Sequence, residues 1–230
     1  MGIQKEFHRQ FQILLVVVRR LCIMLPHGNV HILPPGKDQI ILRNEFREIS
    51  VPQPFQHLRG GGPHPDDREL VRENYRRFCA ALGADPAGLV LSRQVHEDTV
   101  RHVTAADAGK GFSAPVDYTA DALITNEPGL NLMVFSADCI ILLLHDPVTG
   151  CAGAVHAGWR GTALDLPAKT MGEMGRGFGA RPENIRVAIG AGIGPCCFET
   201  HDDVPDALRA AFGPGVEPYI APKGEKWTVD

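Results

Sequence analysis

Apolar residues recur along the chain at two spacings, and each spacing predicts a different element. Val71, Tyr75, Phe78 and Leu82 follow one another at steps of four, three and four, the spacing of one helical face. Asp66 and Asp67 precede them, where a helix start favours negative charge, and Gly83 follows as a stop signal. Shorter apolar runs come next. Residues 89–95 predict a strand ending at His96, and residues 122–125 and 130–136 predict two more, separated by the turn Asn126-Glu127-Pro128-Gly129. Residues 140–144 are uninterruptedly apolar, which suits a strand covered on both faces. The turn Asp146-Pro147-Val148-Thr149-Gly150 leads into a small-residue strand over 151–155 that runs into His156. Leu164, Ala168, Met171 and Phe178 then predict a helix, residues 185–189 a strand, and Val204, Ala207, Leu208, Ala211 and Phe212 a last amphipathic helix. The chain stops at Trp227-Thr228-Val229-Asp230, in what reads as the start of an unpaired strand, so a missing C-terminal segment is expected.

The first 62 residues carry weaker signals. Runs at 13–18 and 39–42 predict strands, Pro34-Pro35-Gly36 a turn, and Gly60-Gly61-Gly62-Pro63 a flexible break. The run at 13–18 is too short to span a bilayer, and no small-residue cleavage site follows it, so it reads as a buried strand. Strands and helices mix without a strict βαβ rhythm. The expectation is an α/β (or α+β) fold: a single three-layer domain with a mixed sheet over residues 63–230, behind an atypical segment 1–62.

Composition adds exclusions. The 230 residues suffice for one core, and 44% apolar with 22% charged residues is ordinary for a globular chain. A net charge of −4 argues against a nucleic-acid or anionic-membrane surface. Cys22, Cys79, Cys139, Cys151, Cys196 and Cys197 contain no Cys-x-x-Cys pair, and a chain of this length needs no disulfide staples, so a reducing cytoplasm is expected.

Three residues with metal-binding side chains stand at predicted strand ends: His96, Cys139 and His156. Strand ends facing a crevice are where α/β proteins place ligands. Two imidazoles and a thiolate suit zinc and leave a fourth position open. Taken alone, their separations of 43 and 17 residues favour a buried cysteine and two core histidines. The run His156-Ala157-Gly158-Trp159-Arg160-Gly161-Thr162 is more informative. Glycines let backbone approach a ligand, a helix start offers N–H groups to an anion, and a guanidinium fork suits phosphate. Gly158, Arg160, Gly161 and Thr162 are therefore candidate phosphate-binding residues, with Trp159 either a stacking platform or core. Asp138, beside Cys139, is a candidate for moving a proton or orienting a ligand, or else caps a turn. A second glycine-rich turn, Gly190-Ala191-Gly192-Ile193-Gly194-Pro195-Cys196-Cys197, matches no Walker or dinucleotide pattern. Adjacent side chains on an extended segment point apart, so Cys196 and Cys197 read as structural.

Together these segments resemble the laccase-domain family, also called the YfiH-type or multicopper polyphenol oxidoreductase family. The matching stretches are Gln94-Val95-His96, Asp121-Ala122-Leu123-Ile124-Thr125, Ala137-Asp138-Cys139, His156-Ala157-Gly158-Trp159-Arg160-Gly161 and Ile193-Gly194-Pro195-Cys196-Cys197-Phe198-Glu199, within residues 64–230. The resemblance implies metal ligands at His96, Cys139 and His156. It also implies zinc-dependent phosphorolysis of adenosine, inosine, guanosine and methylthioadenosine, with adenosine deamination beside it. Older assignments imply a copper polyphenol oxidase, and some bacterial members are linked to cell-wall precursor editing. This sequence departs from the family pattern at Glu97, Ile140 and Ala191. The N-terminal Thr-Arg-x-Gly-Gly segment is not recognisable in residues 1–62, and the family's last segments would lie past Asp230.

The residues weigh the alternatives. A multicopper oxidase needs about ten histidines, largely in His-x-His pairs. The ten here form no such pair, so one metal is expected, with copper as an opportunistic occupant. The His-x-Glu and Pro-Cys-x-x-Cys signature of zinc base deaminases is absent. What the resemblance implies is then catalysis on purine nucleosides and phosphate at His96, Cys139 and His156, with Asp138 beside them, and a metal-stabilised binding module is the non-enzyme alternative. The sequence does not specify an oligomeric state.

Overall fold

The computed structural model describes the backbone of residues 12–16 and residues 65–230. The turn and strand expected at 34–36 and 39–42, and the break at 60–63, lie outside the described residues. The elements in chain order are β1 (Gln12–Val16), α1 (Pro65–Leu82), β2 (Leu89–Leu91), β3 (Val100–His102), β4 (Ala122–Thr125), β5 (Asn131–Phe135), β6 (Ile140–His145) and β7 (Ala152–Ala157). They continue with α2 (Trp159–Ala163), α3 (Leu166–Phe178), β8 (Arg186–Ile189), β9 (Glu199–Thr200), α4 (Asp203–Phe212), β10 (Ile220–Lys223) and β11 (Lys226–Val229).

Three sheets result. One is parallel, in the order β1-β5-β2; a five-stranded mixed sheet runs β3-β4-β7-β6-β8; a small antiparallel sheet runs β10-β11-β9. Period-two alternation in the strands explains how they stack. Leu89, Leu91 and Met133 face Tyr75, Phe78 and Cys79 of α1, whereas Val90, Leu132 and Val134 face Leu123, Ile141 and Ala154 of the five-stranded sheet. That sheet turns Ile124, Leu144 and Val155 toward Leu166 and Met174 of α3. The α/β class with a mixed sheet holds. The layering is helix, sheet, sheet, helix, because what reads as one sheet in sequence is two packed face to face. β4 and β5, neighbours in sequence, sit in different ones. A last cluster joins Val204, Leu208, Ile220 and Val229 to Trp159 of α2 and to Trp227.

Several expectations change. The strand expected over 89–95 ends at Leu91, because the side-chain amide of Gln94 takes over the pairing. Its Nε2 donates to the Phe135 carbonyl and its Oε1 accepts from the Phe135 N–H, both at 2.7 Å. His96 therefore sits on a loop, at φ 64. His156 lies within β7 rather than beyond it. The single helix expected after His156 is two, broken at Asp165, whose φ of 60 cannot continue a helix. The last strand is not an open edge: β11 pairs with β10 on one side and β9 on the other.

A polar knot ties together the segment that follows His96 in the chain. The buried Asp107 carboxylate accepts the Thr104 N–H at 3.0 Å and an Arg101 guanidinium N–H at 3.1 Å, and pairs with Lys110 at 3.0 Å. Tyr118 lies under the Arg101 guanidinium and donates its hydroxyl to the Leu91 carbonyl. Burial alone would raise the Asp107 pKa. The Thr104 N–H, Lys110 and Arg101 outweigh it and hold the carboxyl below its ordinary value. Asp107→Asn, which keeps the shape and removes the charge, is expected to cost about 1–3 kcal/mol at neutral pH. Because the folded pKa is the lower one, this contribution is complete above the unfolded carboxyl range near pH 4. It fades as pH falls through the folded value. Urea melts at pH 7 and pH 3 should show the gap between wild type and variant narrowing in acid.

Candidate metal centre

Asp121 organises the site. It stands just before β4 with no exposed surface. Its carboxylate accepts three consecutive backbone N–H groups: Val95 at 3.1 Å, His96 at 3.0 Å and Glu97 at 3.0 Å. That grip holds His96 in the left-handed region, which a non-glycine residue occupies only when its surroundings impose it. Asp121 Oδ1 also meets Nδ1 of the buried His156 at 2.9 Å, and its carbonyl accepts the His156 N–H at 2.7 Å. One carboxylate thus fixes both histidines. Their rings sit edge to face, 4.7 Å between centroids. Cys139 enters from the turn before β6, its carbonyl accepting the Ser136 hydroxyl at 2.5 Å.

The ligand atoms of His96, Cys139 and His156 all lie within 4.8 Å of one another, and no other such group of three occurs among the described residues. With Nδ1 of His156 taken by Asp121, Nε2 is left for the cluster. Carboxylate–histidine pairs of this kind set the tautomer and basicity of metal-bound imidazoles. Burial opposes a charge on His156, but Asp121 and the Cys139 sulfur outweigh it, raising its pKa to about 9. Burial would raise the Asp121 pKa; the His156 bond and the three backbone donors bring it below the usual value. Two imidazoles and a sulfur at this spacing are compatible with a metal ion.

Gly158 leaves room for such an ion. A Cβ there would stand 3.1 Å from both Cys139 Sγ and His96 Cδ2. The Gly158 φ of −68 accepts alanine, so only the neighbours resist it. Gly158→Ala is therefore expected to keep the fold, with at most a small drop in melting temperature, and to weaken any metal binding at the cluster about ten-fold in a competition titration with a chelator.

The remaining candidates divide. Arg160 is exposed, its guanidinium 4.1 Å over the Trp159 ring, and no carboxylate is paired with it among the described residues. Gly161 is buried, and a Cβ there would come within 3.2 Å of the Glu97 carbonyl, so it lets α2 pack on the His96 loop. The Thr162 N–H donates to the Gly158 carbonyl, leaving only its hydroxyl for a ligand. Helix α2 spans five residues, so its dipole has little reach. Asp138 is exposed, and its carbonyl accepts the Ile193 N–H at 2.8 Å. Sequence alone gives Asp121 no role, although an acidic residue heading the buried run Ala122–Thr125 is the signal that finds it.

Known proteins carry the same arrangement of segments. A family model described as multi-copper polyphenol oxidoreductase laccase matches residues 46–230. The chain belongs to this family. It is 38% identical over 174 residues to a purine nucleoside phosphorylase of Deinococcus radiodurans, covering 71% of this chain and 65% of that protein. It is 37% identical over 164 residues to the purine nucleoside phosphorylase YlmD of Geobacillus stearothermophilus, covering 70% of this chain and 60% of the relative. The chain thus spans roughly three fifths of the length of these relatives. The crystal structure of Bacillus licheniformis YfiH superposes with a TM-score of 0.67 at 30% identity, over 71% of this chain and 62% of that one. No described helix is long and apolar enough to cross a membrane.

Proposed function

We propose that this family member is a zinc-dependent purine nucleoside phosphorylase, with adenosine deamination as a second reaction. The convergence of His96, Cys139 and His156 on one point carries this reading. It is supported by similarity to proteins named purine nucleoside phosphorylase. His96, Cys139 and His156 would hold the metal, which when bound supplies Lewis-acid chemistry.

The chain's own residues have the following parts. Asp121 keeps Nδ1 of His156 occupied and so fixes which nitrogen faces the cluster. Arg160, free of carboxylate partners among the described residues, holds the phosphate, with the Thr162 hydroxyl beside it. Phosphate attacks the anomeric carbon, the bond to the purine nitrogen breaks, and the departing base takes its electron pair and a proton. Asp138, exposed beside Cys139, would handle that proton. In deamination, water attacks C6 of the adenine ring instead, the C6–N6 bond breaks and ammonia leaves, so Arg160 has no anion to hold.

The family description raises a copper-dependent phenol oxidation. A single three-residue group among the described residues argues for one metal against a multicopper array. Product analysis decides the matter. Inosine or adenosine with phosphate should give free base and ribose 1-phosphate in equal amounts. Rapid oxidation of a phenol with no nucleoside consumed would replace this reading.

A further inference from the structure

Cys196 and Cys197 lie outside the metal cluster, and the structure reverses the expectation that their side chains diverge. The segment is a turn, not an extended strand: the Cys197 and Phe198 N–H groups both bond the Gly194 carbonyl at 3.0 Å. The turn brings the two Sγ atoms to 3.1 Å, with both residues exposed. A tetrahedral ion with metal–sulfur bonds of about 2.3 Å would need its sulfurs roughly 3.8 Å apart. No third His, Cys, Asp or Glu joins the pair as a ligand group among the described residues. The pair is therefore better suited to bonding with itself than to holding a metal. A cation stands by. Lys223, held mainly by Glu199 at 2.6 Å, has both sulfurs within electrostatic reach.

The turn is also wired to the metal centre. After β8, the Gly190 N–H bonds the Ile141 carbonyl and the Ile193 N–H bonds the Asp138 carbonyl, both at 2.8 Å. Gly192 packs so closely on Ile140 that a Cβ would fall 2.2 Å from Ile140 Cδ1. The loop thus lies along the segment that carries Cys139. On its other side, Phe198 packs in the cluster that contains Trp159.

We propose that Cys196 and Cys197 form a reversible dithiol–disulfide pair, oxidised by a low-molecular-weight disulfide, whose state shifts the loop lying against Cys139. One cysteine thiolate attacks a sulfur of the small disulfide, forming a mixed disulfide and releasing one small thiolate. The neighbouring cysteine loses its proton and attacks the protein-side sulfur. The Cys196–Cys197 bond forms, and the second small thiol leaves. Two protein thiols are oxidised, one disulfide is reduced to two thiols, and no other reductant or oxidant enters. Drawing the sulfurs together must repack the turn, and the Gly190 and Ile193 hydrogen bonds are its attachments to the Cys139 segment.

The test uses glutathione disulfide on the full chain. Wild type should lose two hydrogens from this pair without keeping a glutathione, the new bond should map to Cys196–Cys197, and dithiothreitol should reverse it. Cys196→Ser and Cys197→Ser should each stop at a glutathione adduct on the remaining cysteine. Amide exchange at Gly190 and Ile193 should quicken in the oxidised wild type. Stable glutathione adducts on the wild-type pair, or no reaction at either cysteine, would overturn the pair. An internal bond with unchanged exchange at Gly190 and Ile193 would overturn its coupling to the metal centre.

Discussion

Asp121→Ala should be the most damaging single substitution in this site. It removes the acceptor for the backbone N–H groups of Val95, His96 and Glu97, and the partner of His156 Nδ1. The left-handed conformation of His96 then loses what imposes it. Breaking a buried, charge-assisted network of this kind costs about 3–5 kcal/mol. Both histidines lose their alignment, so zinc affinity should fall by at least the 10–100-fold typical of losing one outer partner of a metal-bound histidine. Asp121→Asn should fall between wild type and alanine, since its amide keeps one acceptor but turns an NH2 toward donors. Denaturant titration and zinc competition on the three proteins test this. An alanine variant with wild-type stability and metal affinity would remove Asp121 from its organising role.

The second large effect is expected at Arg160, and it falls on one substrate. Its guanidinium stacks on Trp159 and bonds no carboxylate among the described residues, so removing it breaks no ion pair of the fold. If Arg160 holds phosphate as proposed, its loss should raise the KM for phosphate about ten- to a hundred-fold, since a charge-assisted contact is worth roughly 1.5–3 kcal/mol. Arg160→Lys should rescue this only in part, because an ammonium cannot reproduce the planar fork. Zinc content and adenosine deamination should change little. Equal losses in phosphorolysis and deamination, with a lower melting temperature, would assign Arg160 to the fold instead.

Much of this was legible in the sequence because apolar periodicity reports burial directly. The strands at 122–125, 131–135 and 140–145 and the helices at 65–82 and 203–212 follow from it. Layering was not legible. Period two says that a strand has two faces, not that Leu89 and Val90 meet different partners, a helix on one side and a second sheet on the other. The strand expected over 89–95 stopped early for a reason periodicity cannot carry: Gln94 satisfies Phe135 with a side chain instead of its backbone. The candidate ligands His96, Cys139 and His156 stand out as polar residues at the ends of apolar runs. Asp121 was harder to see, since its work is done through backbone donors 24 to 26 residues away. The convergence of Cys196 and Cys197 depends on a turn that Pro195 and Gly194 permit but do not dictate.

Metal content measured on wild type and Cys139→Ser bears most directly on the centre itself. About one zinc per wild-type chain is expected, and its loss in the variant, because two imidazoles without the thiolate hold the ion poorly. Several copper ions per wild-type chain, or no metal in either protein with unchanged stability, would contradict it.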